Sequence, residues 1–271
     1  MKKGVLGEAG RSVLLEEYLE GREVSVMAGL SVVPGKKGTM RAFLPARDYK
    51  RRFEGGKGPN TGGMGAIAPV PDFTQAQQRD FLDSILVPTL RGLEAAKMDY
   101  RGFIYFGLVI SGDSCHLLEY NVRLGDPETQ AVLPLMNSDF AGFCEAILDG
   151  TLSAFPVKWK AGAVCAPVLV AEGYPGPCGK GNRIAINPTG LARSGAKLFA
   201  AGANRMPGGA LGSGLRTDGG RVLTVSARGG NVEQACANAY DALRFVGFEG
   251  MTYRKDIGQE QEAPVSEEAR G

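Results

Sequence analysis

The segment Leu117–Gln130 reads LLEYNVRLGDPETQ, an apolar run that passes into a polar turn containing glycine. Side chains two residues apart lie on one face of a strand, so Glu119 and Asn121 share a face. Their oxygens suit Mg²⁺, which takes a few protein oxygens and completes its shell with phosphates and water. If the strand continues, Arg123 follows on that face, where its guanidinium suits a carboxylate or a phosphate, and Gly125 lets backbone approach a ligand. The pattern also fits a strand that ends in an ordinary polar turn.

Upstream of this segment, residues 55–66 read GGKGPNTGGMGA, and six of the positions from 55 to 65 are glycine. Backbone N–H groups in such a stretch can converge on an anion. No Gly-Lys-Ser/Thr triplet follows, so the stretch is not a Walker A loop. A flexible linker has the same composition, and the preceding run DYKRR over 48–52 also fits a solvated surface. The sequence predicts a long loop over 48–65.

The segment 14–26, LLEEYLEGREVSV, predicts a strand over 13–17, a turn at Gly21 and a strand over 23–33. An edge strand can bond an adenine through its backbone while a nearby carboxylate, Glu16 or Glu23, takes ribose hydroxyls. An ordinary hairpin fits the segment equally well.

The rest of the chain predicts an α+β protein in two parts with a boundary near residue 155. Thr74 and Gln77 form a capping-box pattern at the start of a helix that Pro88 interrupts, and Ser138 and Asn231 are candidate caps of two later helices. Further strands are predicted at 40–44, 102–110, 115–120, 163–170, 183–186, 197–201 and 221–228. The glycine cluster at 208–214 is typical of a hairpin connection.

Composition excludes several classes of protein. The chain has 271 residues and a formal net charge of only +2, which gives no basic field for nucleic acid. No apolar run reaches the roughly 20 residues that a membrane helix needs, and the N-terminus lacks a secretory signal. Five cysteines without a Cys-x-x-Cys pair indicate reduced thiols and a cytoplasmic protein. The 40 glycines have no collagen period.

Three motifs occur in an order that is specific: EEYLEGREVS at 16–25, GPNTGGMGA at 58–66 and LEYNVRLGDPETQ at 118–130. On these motifs the chain resembles the phosphoribosylamine–glycine ligase (glycinamide ribonucleotide synthetase) family of ATP-grasp enzymes. The resemblance spans about residues 7–258 and is extended by GYPG at 173–176, GGRVL at 219–223 and YRKDIG at 253–258.

The resemblance implies a fold in three parts. Residues 1–155 would form the large ATP-grasp lobe, a mainly antiparallel sheet with flanking helices. Residues 156–258 would form a small mixed α/β C-terminal domain, and residues 259–271 a disordered tail.

The resemblance also implies a reaction. ATP would phosphorylate glycine to glycyl phosphate, and phosphoribosylamine would displace the phosphate to give glycinamide ribonucleotide, a step of purine biosynthesis. ATP would be the co-substrate and Mg²⁺ or Mn²⁺ the metal. The alternative is a catalytically incomplete fragment or split subunit that binds nucleotide, metal or a separate chain supplying the N-terminal part.

Roles carried over from the family fall on four groups of residues. Adenine and ribose would be held by Glu16, the backbone near Tyr18 and Leu19, and Glu23. The metal ligands would be Glu119 and Asn121. Substrate and acyl phosphate would meet at Arg123, Gly125 and Asp126. Further substrate contacts would come from Asp48, Lys50, Asn60, Thr61, Gly62 and Gly63.

The sequence departs from the family pattern in three respects. The resemblance begins late in the small ATP-grasp lobe, so we expect an incomplete enzyme without the family's N-terminal domain. Tyr49 and Ala200 stand where the family usually has histidine. The region Phe106-Gly107-Leu108 lacks the acid that generic ATP-grasp sites carry one strand before the metal pair, so no third protein ligand is expected.

Overall fold

The computed structural model describes residues 14–205 and 214–259, an α+β arrangement in which every paired strand of these residues is antiparallel. The first strands are β1 Arg22–Val32, β2 Thr39–Ala42, β3 Arg47–Asp48, β4 Arg51–Phe53, β5 Lys57–Asn60, β6 Gly65–Ala68, β7 Tyr100–Ser111 and β8 Ser114–Asn121. The later strands are β9 Ala163–Val170, β10 Ala185–Ile186, β11 Lys197–Ala200, β12 Ala203–Arg205, β13 Leu215–Thr217, β14 Arg221–Gly229 and β15 Val246–Gly247. The helices are α1 Gln75–Asp80, α2 Val87–Ala95, α3 Glu128–Val132, α4 Phe140–Asp149, α5 Pro188–Ser194 and α6 Val232–Ala242.

One sheet has the strand order β2-β1-β7-β8 and is covered on both faces. Alternate residues of β1 enter two different cores because successive side chains of a strand point to opposite faces. Val26 and its neighbours two residues away pack under the π-helical turn Phe81–Leu86 and α2, and Phe81 of that turn meets Phe106 edge-on at 5.3 Å. Met27 faces the other way, into a core that contains Phe143 of α4.

A second sheet has the order β11-β14-β9-β6-β3. β3 and β6 come before residue 155, whereas β9, β14 and β11 come after it. β9 pairs with β6 through Ala66↔Ala166 on one side and with β14 on the other. The two parts predicted from the sequence therefore share one continuous sheet, and α6 packs against its later strands.

Several predicted elements are confirmed. Thr74 caps α1, and its side chain and that of Gln77 form the reciprocal capping box. β7 and β8 form the predicted hairpin, β9 and β14 lie where the apolar runs indicated, and Asn231 caps α6. Pro88 lies in the first turn of α2, directly after a π-helical turn Phe81–Leu86 that separates α2 from α1. A proline has no N–H to donate, so the change of helix type falls where the normal ladder would be broken.

Other predictions are wrong. Residues 14–17 form no strand, because their leucines are exposed and find no partner strand, while Val13 lies outside the described residues. The long loop over 48–65 contains β4, β5 and the start of β6. The helix predicted after Ser138 is capped by Asp139, whose carboxylate accepts from two backbone N–H groups. Most of the glycine cluster at 208–214 and most of the tail 259–271 lie outside the described residues, although β12 and β13, which flank the cluster, do pair.

Candidate active site

The predicted metal pair lies at the end of β8, the edge strand of the first sheet. Glu119 stands opposite Gly107 of β7 and Asn121 opposite Tyr105. The two side chains share a face, since Asn121 Nδ2 donates to Glu119 Oε1 at 3.1 Å. A Cβ on Gly107 would lie 3.0 Å from Glu119 Cγ, so the position that lacks the third acid directly faces the carboxylate. The pair presents oxygen ligands at an exposed strand edge, as a metal held jointly with phosphates requires.

Arg123 does not continue along that face, because β8 ends at Asn121. Its guanidinium Nη1 donates to the carbonyl of Leu124 at 3.0 Å, and the side chain is exposed. The chain then turns through Gly125 into α3, and the N–H of Gly125 donates to Met27 Sδ at 3.1 Å.

Lys50 connects this edge with the start of β1. Its ammonium donates to Glu23 Oε2 at 2.5 Å. Burial alone would lower the pKa of Lys50, but the hydrogen bond and the negative charges of Glu23, Asp48 and Glu119 raise it above the usual lysine value. Lys50 is therefore a cation that lies among three of the predicted site residues. Glu23 and Glu119 belong to the first sheet, and Asp48 belongs to the second.

The glycine-rich loop does not form the predicted anion nest over Thr61–Met64, because its N–H groups have internal partners. Thr61 N donates to the Lys50 carbonyl, and Met64 N to the Tyr49 carbonyl. Gly62 N donates to the Tyr174 hydroxyl at 2.9 Å and Gly63 N to Thr61 Oγ1 at 3.0 Å. These hydrogen bonds instead fix the loop backbone against the neighbouring segments of the fold.

Arg221 of β14 joins the glycine-rich loop to the turn after β8. Its Nη1 donates to the carbonyls of Gly62 at 2.6 Å and Asp126 at 2.7 Å, and its Nη2 to Asp126 Oδ2 at 3.2 Å. Neither Arg221 nor Tyr174 has a role predicted from the sequence, although both lie in motifs, GGRVL and GYPG, that extend the resemblance. A guanidinium is suited to holding several oxygens in one plane, so Arg221 fixes the spacing of two site segments.

Asp48 and Glu128 lie behind this arrangement. Asp48 Oδ1 is buried and has no hydrogen-bond partner among the described residues. Its pKa is raised well above the ordinary aspartate value, by burial first and then by the charge of Glu128. Glu128 begins α3 with a side chain that is almost fully buried. Glu128 is not among the residues predicted from the sequence, where its only signal is its place in the GDPETQ motif.

The predicted adenine contacts are set apart from these residues in the fold. Glu16, Tyr18 and Leu19 lie in a stretch of 14–20 without helix or strand, and the Tyr18 side chain is 71% exposed. Glu23, at the start of β1, is the one member of that group that contacts another predicted site residue, Lys50.

The two positions that depart from the family pattern lie outside the cluster around Lys50. The ring of Tyr49 is buried in the core beside Ile67 and Cys165, with Arg254 over it at 5.3 Å. Burial raises the pKa of Tyr49 to about 12, so its hydroxyl stays protonated. Ala200 is exposed at the end of β11.

No group of three or more His, Cys, Asp or Glu side chains in the described residues is arranged to hold a metal ion. No helix among these residues combines the length and apolarity that crossing a membrane demands.

The fold, with a carboxylate and an amide at the edge of its antiparallel sheet, belongs to the class of ATP-grasp proteins. The chain matches the sequence profiles of the phosphoribosylglycinamide synthetase ATP-grasp (A) domain over residues 1–129 and of the C domain of the same enzyme over residues 163–260. The chain belongs to the phosphoribosylglycinamide synthetase family.

Two relatives illustrate the match. Phosphoribosylamine–glycine ligase of Clostridium acetobutylicum is 44% identical over 260 residues, which are 96% of this chain and 59% of the relative. The bifunctional purine biosynthetic protein ADE1 of Schizosaccharomyces pombe is 41% identical over 93% of this chain and 30% of its own length. The chain thus spans about three fifths of the single-function relatives that it matches.

Solved structures agree with the sequence relatives. The crystal structure of phosphoribosylamine–glycine ligase from Thermotoga maritima superposes with a TM-score of 0.71 at 39% identity, covering 89% of this chain and 57% of that one. The biotin carboxylase domain of the Hydrogenobacter thermophilus 2-oxoglutarate carboxylase has a TM-score of 0.53 at 13% identity, covering 85% of this chain and 47% of that chain, which shows a common fold alone.

Proposed function

We propose that the chain takes part in the ATP-dependent ligation of glycine to 5-phosphoribosylamine, which gives glycinamide ribonucleotide, ADP and phosphate. The observation that carries the proposal is that four sequence motifs from both parts of the chain meet at one place in the fold. They are EEYLEGREVS, GPNTGGMGA, LEYNVRLGDPETQ and GGRVL. Lys50 lies among Glu23, Asp48 and Glu119, and Arg221 binds both the GPNTGGMG loop and the GDPE turn. Family membership supplies the reaction.

In the first step, an oxygen of the glycine carboxylate attacks the γ-phosphorus of ATP, and the bond from that phosphorus to the bridging oxygen of ADP breaks. In the second step, the amine of phosphoribosylamine attacks the acyl carbon of glycyl phosphate, and phosphate leaves. Both steps depend mainly on positioning and on stabilising charge. Lys50 and Arg123 are the cations proposed to face the phosphate and the carboxylate. The hydrogen bonds from Arg221 to Gly62 and Asp126 are proposed to hold Asp126 at a fixed distance from the loop, whose substrate contacts would be Asn60, Thr61, Gly62 and Gly63.

Glu119 and Asn121 are proposed to hold Mg²⁺. The donor set fits, because a carboxylate and an amide carbonyl are hard oxygen ligands at an open strand edge, with room for phosphate oxygens. When bound, Mg²⁺ neutralises charge on the phosphates of ATP. The side chain of Asn121 bonds Glu119 in this structure, so the pair is already placed on one face before a metal arrives.

The nucleotide is proposed to lie along the start of β1. Glu16 and the backbone at Tyr18 and Leu19 would meet the adenine, and Glu23 the ribose hydroxyls. Glu23 shares its carboxylate with Lys50 in this structure, with side-chain exposures of 51% and 36%, so a nucleotide would bind beside an ion pair. An exposed pair of this kind contributes little stability and rearranges easily.

The test is sustained ADP formation over many turnovers by the full chain with ATP and Mg²⁺, which should require both glycine and phosphoribosylamine. Glu119→Gln and Asn121→Ala should each lower the rate by about 100-fold or more, because a metal stabilises several kcal/mol of transition-state charge. Glu145→Gln is the matched control, an exposed carboxylate on α4 that should leave the rate unchanged. A chain that neither turns over nor binds MgATP would contradict the proposal.

A second candidate follows from the length of the match, since the chain spans about three fifths of its single-function relatives. In this version the chain binds nucleotide and metal but needs a separate polypeptide that supplies the remaining part. MgATP binding without ADP formation, followed by turnover when the N-terminal part of the Clostridium relative is added, would support this candidate over the first.

A further inference from the structure

Two cysteines face each other where helix α6 packs on the second sheet. Cys165 of β9 is fully buried, and Cys236 of α6 is partly exposed. Their thiols are within hydrogen-bonding distance, with Cys165 as the donor and Cys236 as the acceptor. The helix approaches the sheet closely because two of the side chains that it buries there, Ala235 and Ala239, are small. The fold thus brings together two thiols that are far apart in the sequence.

The sulfur of Cys236 also makes a contact on its other side. Its Sγ donates to the carbonyl of Ile257 at 3.2 Å. The chain continues over the sulfur, since a Cβ on Gly258 would clash with Cys236 Sγ. A chain of hydrogen bonds therefore runs from the thiol of Cys165 through Cys236 to the backbone of the segment 254–258.

The segment 254–258 in turn holds the β4–β5 hairpin. Arg254 Nη1 donates to the carbonyl of Arg51 at 3.0 Å, and Asp256 Oδ2 accepts from the N–H of Gly55 at 2.8 Å. The hairpin strands are mostly exposed, so these two hydrogen bonds matter for its position. The position of the hairpin therefore depends on a segment that the thiol pair contacts.

We infer that Cys165 and Cys236 are a redox-active pair that a hydroperoxide oxidises to a disulfide, and that this disulfide loosens the segment 254–258. The inference does not depend on the proposed function. Cysteines that respond to oxidants are typically accessible and have a second, resolving thiol beside them, and Cys236 has both properties. All five cysteines are free thiols in this structure, as a transient disulfide requires.

The hydrogen bond between the two thiols gives each a different part in the oxidation. It lowers the pKa of Cys236, although burial opposes this change, so more of Cys236 is the reactive thiolate. The same hydrogen bond, together with burial, raises the pKa of Cys165 well above the usual cysteine value. Cys236 is therefore the thiol that the hydroperoxide oxidises, and Cys165 is the resolving thiol that keeps its proton until the second step.

The chemistry takes two steps. The Cys236 thiolate attacks the O–O bond of the hydroperoxide, so that an S–O bond forms, the O–O bond breaks, and the leaving oxygen takes up the proton that Cys236 released. The sulfur of Cys165 then attacks the sulfenic acid sulfur of Cys236, so that the S–S bond forms and the S–O bond breaks. The hydroxyl leaves as water with the proton of Cys165. The hydroperoxide accepts the two electrons that the thiols lose, and an external dithiol reverses the reaction.

The disulfide has a structural consequence because it uses the sulfur that donates to Ile257. Oxidised Cys236 has no S–H, so the carbonyl of Ile257 loses this donor. Ile257 is 1% exposed, and a buried acceptor that loses its donor costs free energy. The segment 254–258 should therefore open more often in the oxidised chain, and the hairpin that it holds should open with it.

The experiment exposes the full chain to hydrogen peroxide, blocks the remaining thiols with N-ethylmaleimide and maps the peptides by mass spectrometry. The wild type should give a disulfide between Cys165 and Cys236 that dithiothreitol reverses. This disulfide should form about tenfold or more faster than Cys144 is modified, because Cys144 of α4 is also partly exposed but burial raises its pKa. Cys144→Ser is the matched control and should form the disulfide at the wild-type rate.

Hydrogen exchange at the amide of Gly55 measures the structural consequence. Gly55 donates to Asp256, so its amide should exchange about threefold or more faster in the oxidised wild type than in the reduced wild type. Cys236→Ser keeps a donor for the carbonyl of Ile257 but forms no disulfide, so its exchange should match the reduced wild type with and without peroxide. Cys236→Ala lacks the donor, and its exchange should be fast before any peroxide is added.

Three results would contradict the inference. Peroxide that leaves both thiols free, or that takes Cys236 to the sulfinic acid while Cys165 stays reduced, overturns the redox pair. A disulfide that leaves the exchange of Gly55 at its reduced rate overturns the link to the hairpin. Cys165→Ala should stop at the sulfenic acid of Cys236, which dimedone labels, and a variant without this label would contradict the parts assigned to the two thiols.

Discussion

A single buried arginine shows how one residue ties distant parts of this chain together. Arg254 is 1% exposed and donates to both carboxylate oxygens of Asp256, at 2.7 and 2.6 Å. It also donates to the carbonyl of Arg51, and Asp256 accepts from the N–H of Gly55. The segment near residue 255 therefore anchors the β4–β5 hairpin, which otherwise has exposed strands.

Arg254→Met should lower the free energy of unfolding by about 3–5 kcal/mol, because removing one partner leaves a buried carboxylate uncompensated. Urea unfolding at pH 7 measures the loss. Lys255→Met, the exposed neighbour, should change it by less than about 0.5 kcal/mol. Equal effects of the two substitutions would contradict the anchoring role of Arg254.

The same pair predicts a pH dependence. Burial alone would raise the pKa of Asp256, but the hydrogen bond from Arg254 and the N–H of Gly55 outweigh it and hold the pKa below the usual aspartate value. A lowered folded pKa means that the stabilisation is complete above the unfolded pKa of about 4 and is lost as the pH falls through the folded value. The stability difference between the wild type and Arg254→Met should therefore narrow below about pH 4.

At the scale of secondary-structure elements, prediction from the sequence succeeds best where burial imposes a recognisable pattern of apolar residues. β1, β7 and β9 are long apolar runs, and α1 begins at a capping box that needs only local contacts. The strands β4 and β5 were missed because they are short, charged and glycine-rich, with little buried surface to signal them.

The site residues likewise divide into those that a local sequence pattern predicts and those that only contacts between distant residues reveal. Glu119 and Asn121 are found from a two-residue period, whereas Arg221 acts on Asp126 from 95 residues away. A contact between such distant residues leaves no local pattern, so only the fold reveals it. Glu128 was missed for a related reason, since its hydroxyl partners lie on strands far from it in sequence.

The glycine-rich loop and helix α2 give opposite predictions for the same substitution. Gly63 has φ +113 and no room for a Cβ, so Gly63→Ala should destabilise the chain by about 1–3 kcal/mol. Gly92 lies exposed in α2, and a Cβ there meets nothing within 4 Å, so Gly92→Ala should stabilise by about 0.5–1 kcal/mol. Thermal unfolding of both variants shows whether each substitution raises or lowers the stability of the fold. A destabilised Gly92→Ala would show that α2 is strained at that position.

At the scale of the whole molecule, the domain boundary near residue 155 stays a prediction. The sheet β11-β14-β9-β6-β3 contains strands from both sides of that boundary. β6 and β9 pair across the proposed boundary, and the core around Met27 and Phe143 contains Val164 and Ala166 from beyond it. Backbone pairing and apolar burial are both lost if one part unfolds alone. We therefore expect the two proposed domains to unfold together, although the family profiles match them separately.

Trp159, the only tryptophan, makes this testable. It packs on the core around Met27 and Phe143, with Phe43 at 5.6 Å, and reports on that core alone. Leu243, 4% exposed, belongs to a separate core that contains Val222 and Val225 of β14, and Leu243→Ala should cost about 2–5 kcal/mol. If β9 and β14 couple the two cores, the urea midpoint seen by Trp159 fluorescence should fall with this substitution as far as the midpoint seen by circular dichroism.

Leu148→Ala is the matched control, since Leu148 is 59% exposed and its truncation should leave both midpoints within error of the wild type. A Trp159 midpoint that stays at the wild-type value in Leu243→Ala, while circular dichroism shows an earlier step, would mean that the two parts unfold independently. The β6–β9 pairing would then be a weak interface between two domains. Coincident shifts would mean that the segments joined by Arg221 belong to one cooperative unit, so that the spacing of the proposed site is maintained by the stability of the whole chain.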